Sequence, residues 1–120
     1  MNWLYNRNGQ AILFTYNDRF ISKDGKNLGW IFHNNVYGLR NGKHLGWFEN
    51  GILYDGRNNV IAFSRDASGY LPSRPGLGGI PGTPGIPGRP GTPGLSGTPG
   101  RSGCGGWSSQ TIDDFFASGF

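Results

Sequence analysis

Along the first seventy residues, apolar and polar positions recur in four like units. Large rings mark the repeat: Phe14, Trp30, Trp47 and Phe63 stand 16, 17 and 16 residues apart. Two positions before each ring stands Ile12, Leu28, Leu45 or Ile61, and one position before stands Leu13, Gly29, Gly46 or Ala62, mostly a small residue. Farther upstream, Leu4, Phe20, Val36 and Leu53 form a second apolar column, each followed by Tyr5, Ile21, Tyr37 or Tyr54. Between the two halves of a unit lies Asn8-Gly9, Asp24-Gly25, Asn41-Gly42 or, in the fourth, Arg57-Asn58. Asn-Gly and Asp-Gly between apolar runs signal a hairpin, because a type I′ turn needs positive φ at both central residues. Each unit is therefore predicted to be one β-hairpin.

Strand alternation puts Leu28 on the face of Trp30 and Leu45 on the face of Trp47. Phe14, Trp30, Trp47 and Phe63 are accordingly expected to meet in a shared interior, with Ile12, Leu28, Leu45 and Ile61 beside them. The Gly or Ala between leaves room for close approach by another backbone. Asn17-Asp18-Arg19, His33-Asn34-Asn35, Glu49-Asn50-Gly51 and Asp66-Ala67-Ser68 read as turns that end strands and join the hairpins. An isolated hairpin cannot bury its apolar face and leaves its edges unpaired. The expected fold is all-β, with four β-hairpin repeats in a closed pseudo-fourfold arrangement.

The pattern changes after residue 71. From Gly76 to Gly106 glycine fills every third position without a miss, and Pro81, Pro84, Pro87, Pro90, Pro93 and Pro99 hold the Y place of Gly-X-Y triplets. This collagen-like period predicts an extended polyproline II segment with a continuous glycine edge. The X place holds Ile80, Thr83, Ile86, Thr92 and Thr98, poor polyproline formers. Two readings stand side by side: a semi-rigid or disordered linker, and an oligomeric stalk that would be a trimer if the segment forms a triple helix. Extended, its 31 residues would reach on the order of 90 Å at ~3.1 Å each. Beyond Trp107, Ile112, Phe115 and Phe116 fall on one helical stripe, with Ser109 or Thr111 as a cap. This short C-terminal tail is expected to be an amphipathic helix or disordered, free to dock on the β domain, to pack with copies of itself or to serve as a recognition peptide. The expected division is 1–71, 72–106 and 107–120.

The run from Tyr37 to Trp47, Tyr-x-x-x-Asn-Gly-Lys-x-Leu-Gly-Trp, resembles the four-fold beta-flower domain of bacterial proteins over roughly residues 2–71. The resemblance implies four hairpin petals around a pseudo-fourfold axis, and it brings no established activity and no catalytic residues. The fourth unit departs from the pattern, with no Asn-Gly turn and with Ala62 and Phe63 in place of Gly and Trp.

Eleven Lys and Arg face seven Asp and Glu, for a net charge of +4, and glycine numbers 23 of 120 residues. Arg7, Lys23, Lys26, Arg40, Lys43 and Arg57 flank the hairpin tips, where cations protect strand edges. The alternative is a ring of positive tips that docks on nucleic acid or an anionic surface, although Asp24, Glu49 and Asp55 interrupt it. No secretory signal or ~20-residue apolar window is present, so a cytoplasmic location is the default, with export by another route left open. The lone Cys104 rules out an intrachain disulfide and fits either a reduced compartment or an interchain bridge.

Catalysis requires converging groups, and few are present. His33 and His44 have no companion ligands nearby in sequence, and Asp18, Asp24, Asp55 and Asp66 sit in turns that want Asp for local hydrogen bonds. Cys104 has no base beside it, and neither a phosphate loop nor a Gly-x-Ser-x-Gly elbow occurs. No metal, cofactor or enzymatic activity is expected. The aromatics remain: Trp30, Trp47, Tyr37 and Tyr54, with Trp107, Phe115 and Phe116 of the tail, are the candidate binding residues. Exposed, the first four would offer stacking platforms to a carbohydrate, a choline-like cation or a protein. The units are loosely similar to the longer choline-binding repeats of bacterial surface proteins. The expected function is a non-catalytic structural or protein-interaction module, with another protein or a further copy as partner.

Overall fold

Eight short strands follow one another: β1 (Asn2–Tyr5), β2 (Ala11–Tyr16), β3 (Arg19–Ser22), β4 (Asn27–Phe32), β5 (Asn35–Gly38), β6 (His44–Glu49), β7 (Ile52–Tyr54) and β8 (Val60–Ser64). The computed structural model describes residues 2–68, 71–103 and 105–120; Cys104, with the expectations placed on it, lies outside them. Each strand is antiparallel to the next, and β8 returns to β1 through Leu4↔Ser64 and Tyr5↔Phe63. The sheet is thus a closed barrel in chain order, as the unpaired edges of separate hairpins required.

The turns differ from the expectation. At Asn8-Gly9, Asp24-Gly25 and Asn41-Gly42 only the glycine has positive φ, at 79°, 84° and 67°. In the first petal the Gly9 N–H donates to the Asn6 carbonyl at 2.9 Å, so a turn is followed by a glycine in the left-handed region, the three-residue hairpin loop. Asn58, at φ 63°, takes the glycine's place in the fourth petal, since Asn tolerates this conformation better than most residues. The I′ requirement of two positive φ values is met elsewhere, at His33-Asn34 (48°, 65°) and Asn50-Gly51 (55°, 80°). These joining stretches are themselves tight hairpin turns, with Phe32↔Asn35 and Glu49↔Ile52 as the last strand pairs.

A register shift in every petal decides which side chains go inside. Leu4 pairs with Leu13 but Tyr5 with Ala11, which leaves Ile12 extra, and the same shift leaves out Leu28, Leu45 and Ile61. These are β-bulges, two residues against one, and they break the strand alternation. The inner face is built from the pairs Leu4↔Leu13, Phe20↔Gly29, Val36↔Gly46 and Leu53↔Ala62, a large residue against a small one in three petals. Across the barrel, Phe20 on β3 meets Phe48 on β6 edge to face at 5.3 Å. The bulged Leu28, Leu45 and Ile61 join this cluster, and Ile12 packs against it. Phe14, Trp30, Trp47 and Phe63 do not. The expected ring-filled interior is corrected: the rings lie on the outer face, paired across petals with the second column as Tyr5↔Phe63, Phe14↔Ile21, Trp30↔Tyr37 and Trp47↔Tyr54.

The interior is completed from the far end of the chain. Helix α1 (Ile112–Ala117) is capped by the Thr111 side chain, which accepts from the Asp114 N–H, and carries Asp113 and Asp114 in its first turn, where the helix dipole favours negative charge. Phe115 and Phe116 are buried in the interior cluster, with the Phe116 ring 5.6 Å from that of Phe20. A methyl at Gly29 would lie 2.9 Å from both the Phe116 ring and the Tyr37 carbonyl, and one at Gly46 would strike the Tyr54 carbonyl and come within 3.0 Å of Phe115. The small column therefore makes room for the two tail phenylalanines.

Candidate interaction surface

The outer rings need a cover, and residues 72–106 supply it. This Gly-X-Y arm contains no helix or strand among its described residues and passes every hairpin turn. The Gly78 N–H donates to the Gly9 carbonyl at 2.8 Å, and the Ser96 N–H to that of Gly42 at 3.0 Å. The Pro87 and Gly88 carbonyls accept from Arg19 and Asn27 at 2.9 and 3.0 Å. At the fourth petal the Ser102 carbonyl accepts from Asn58 Nδ2 at 2.6 Å, and the Gly105 N–H donates to Asn59 Oδ1 at 3.1 Å. A methyl at Gly9, Gly25 or Gly42 would run into Gly76, into Pro84 and Gly85, or into Gly94. The points of nearest approach thus advance nine residues, three triplets, per petal. The arm returns to its start: Trp107 Nε1 donates to Ser73 Oγ at 3.0 Å, and Trp107 bridges to Val60 alongside β8.

Three edges of the arm behave differently. At the Y place, Pro81, Pro84, Pro87, Pro90 and Pro93 are half-buried. Proline has no N–H to give, and the Y-place residues that donate one to the barrel, Gly78, Ser96 and Gly105, are not proline. Ser96 Oγ also accepts from the His44 N–H at 2.9 Å. The repeating glycines face outward: a methyl at Gly76, Gly79 or any later one through Gly106 would meet nothing within 4 Å. Only Gly106 among them has positive φ. At the X place Ile80, Ile86 and Leu95 are exposed.

Three arginines of the arm turn back onto the rings, Arg89 and Arg101 from the X place and Arg74 from just before the first triplet. Arg89 lies 4.9 Å above Trp30, and Arg101 lies 5.3 Å from Trp47 and 4.8 Å from Tyr54. Arg74 lies 5.7 Å above Phe63. Each is anchored at its head. Arg89 Nη2 reaches Asp18 Oδ2 at 2.7 Å, and Arg101 Nη1 reaches Glu49 Oε1 at 3.0 Å while its Nε donates to Asn58 Oδ1 at 2.8 Å. Arg74 donates to the Ala67 and Arg65 carbonyls at 2.9 and 3.4 Å. Among the described residues no arginine lies over Phe14, which carries Trp3 at 4.8 Å.

Of the sequence-derived candidates, Trp30, Tyr37, Trp47 and Tyr54 are brought together as adjacent outer pairs, but they are 3–6% exposed. The expected open platforms are closed, with Arg89 over Trp30 and Arg101 beside Trp47 and Tyr54. Trp107 joins them, 6.0 Å from Phe63, whereas Phe115 and Phe116 belong to the interior. His33 sits exposed in its turn; the His44 Nε2 shares a hydrogen bond with Asn35 Oδ1 at 3.0 Å, and burial lowers its pKa from the ordinary 6.5. Asp55 is buried as a turn residue, accepting from Arg57 N, Asn59 N and Ser108 Oγ. Among the described residues no three His, Cys, Asp or Glu side chains gather as a metal site, and no helix is long and apolar enough to cross a membrane. The arginine positions and the withdrawn Y-place prolines are features that reading for motifs passed over.

None of the curated proteins or solved structures compared matches the chain. Residues 2–116 match the family described as 4-fold beta flower protein, a span that runs past residue 71 through the arm and into the helix. The closed four-petal barrel, its arm and its tail phenylalanines all fall within that span, and the chain belongs to the 4-fold beta flower protein family.

Proposed function

We propose that the protein is a non-catalytic interaction module whose working surface is the outer aromatic track, shaped to hold a polyproline II strand of Gly-X-Y sequence, with residues 72–106 as the strand it already holds. The observation that carries this is the fit of the Y edge: five of its six prolines, all but Pro99, are half-buried, and Gly78, Ser96 and Gly105 stand where an N–H is needed. Aromatic-lined surfaces recognise such strands because the extended conformation is preformed and costs little entropy. The dimensions agree. From Ser73 to Trp107, a contour of about 105 Å at ~3.1 Å per residue would close a ring roughly 34 Å across, and the whole chain, arm included, extends 37 by 35 Å. To test it, protease sites inserted after Leu71 and after Gln110 are cut in the folded protein, so that the released segment carries the arm without the core phenylalanines of α1. The released segment should stay bound to the barrel through gel filtration and dissociate only on dilution; immediate separation from a folded barrel refutes the reading.

A second reading, self-association through the arm, is favoured by the outward glycine edge, which, Gly106 apart, neither φ nor a neighbouring atom requires. Only glycine fits the axis of a triple helix. Sedimentation would separate the two: a concentration-independent monomer removes the assembly reading and leaves the first in place.

A further inference from the structure

We infer that the track selects the charge of what it holds: it is a receptor for a Gly-X-Y strand bearing arginine at the X place, on a separate polypeptide as well as on its own arm. This rests on the reading of the track given above. At the X place Ile80, Ile86 and Leu95 are exposed and Leu77 packs against the outer cluster, whereas Arg89 and Arg101 each stack on a ring of the repeat and reach a barrel carboxylate; Arg74, just ahead of the first triplet, lies over Phe63. The charged contacts from the X place to the barrel are thus made by Arg89 and Arg101. Residues 72–106 contain no acid, and the barrel meets their positive charge with Asp18 and Glu49. The station around Arg101 is the most complete, with two rings, a carboxylate and the Asn58 carbonyl oxygen around one guanidinium. A planar guanidinium stacks on a ring while its fork reaches a carboxylate, which an ammonium cannot do equally well.

The strand need not be tethered. Within the arm, the hydrogen bond from Ser96 Oγ to the Gly97 carbonyl, at 3.5 Å, is a weak contact between neighbours, and the arm's other polar contacts described above go to the barrel or to its own ends. Any strand presenting the same edges meets the same partners. The occupant is a peptide with arginine at X, and the seated arm is its template.

The full-length variant Arg74→Gln/Arg89→Gln/Arg101→Gln leaves all three stations without their own arginines, and circular dichroism establishes that it is folded; cutting it after Leu71 and after Gln110, as above, frees its own strand so that an added peptide in excess competes with an untethered one. It is titrated with a synthetic peptide of residues 72–106 carrying Cys104→Ser, and with versions of that peptide in which the three arginines are glutamine or lysine. Tryptophan fluorescence reports binding. The arginine peptide should bind at least about tenfold tighter than either other version, as expected for several cation–ring contacts and ion pairs acting together. Equal binding of all three overturns arginine selection but leaves the track as a polyproline II receptor. Failure of all three to bind overturns both. Should the triple variant not fold, Arg101→Gln alone, probed with residues 95–106, gives the same three outcomes.

Discussion

Replacing Phe116 with alanine tests whether the last residues of the chain are part of the barrel or an appendage. Phe116 is fully buried, 70 residues or more from the strands it touches, with rings of Phe20 and Phe115 at 5.6 and 4.9 Å and Gly29 beneath it. Truncating a core phenylalanine costs about 3–5 kcal/mol, from lost transfer energy and the cavity left behind. For a domain whose whole stability is of order 5–15 kcal/mol, that is a large fraction, equal to roughly 10–20 °C in midpoint. Urea denaturation followed by tryptophan fluorescence measures it, with Phe120→Ala as the control, because Phe120 is 55% exposed and should change stability by less than about 0.5 kcal/mol. If both variants lie within about 0.5 kcal/mol of the parent, the tail is not core and the reasoning fails.

Three further outcomes follow from the arm and its neighbours. Ser96→Pro removes the N–H bonded to Gly42 and the hydroxyl bonded to His44, and should cost about 2 kcal/mol at roughly 1 per hydrogen bond; in a triple helix proline at this Y place would be welcome, so a gain in thermal stability contradicts the arrangement. Gly91→Ala adds a methyl that meets nothing within 4 Å and should be neutral or stabilising by a few tenths of a kcal/mol, whereas Gly46→Ala drives one against Tyr54 and Phe115 and should cost about 1–3 kcal/mol; equal melting temperatures would contradict both placements. Burial lowers the His44 pKa below 6.5, so as pH falls through that ordinary value the unfolded chain takes up the proton first and stability declines, while above it the contribution is flat. His44→Gln should remove that part of the decline between pH 8 and pH 5 in thermal melts; an unchanged profile contradicts it.

The strand count and the closure were legible because the Asn-Gly and aromatic columns report local geometry, and an unpaired edge admits few remedies. The side on which the rings lie was not. Alternation assigns Leu28 and Trp30 to one face, and a single extra residue per petal undoes that assignment without any residue type that announces a bulge. The sign was the small residue between them: Gly29 and Gly46 are small because Phe116 and Phe115 come from 87 and 69 residues away to fill the space, and a contact so distant in sequence leaves no local pattern. The course of the arm was half visible. Its period is shared by a stalk, a linker and a collar, and what separates them is where proline is missing from the Y place and where arginine occupies X. Both are intelligible only once the turns at Gly9, Gly42 and Asn59 are known to await them. The candidate aromatics lie as adjacent pairs on the outer face, and their cover comes from the half of the chain that looked separate.

Small-angle X-ray scattering of the monomer asks most directly whether the arm lies on its own barrel. The collar predicts a radius of gyration close to the 13.3 Å of the Cα trace and a body about 37 Å long. An arm free of the barrel would extend on the order of 90 Å, and a radius of gyration well above 20 Å at concentrations where the protein is monomeric would contradict the collar and the function built on it.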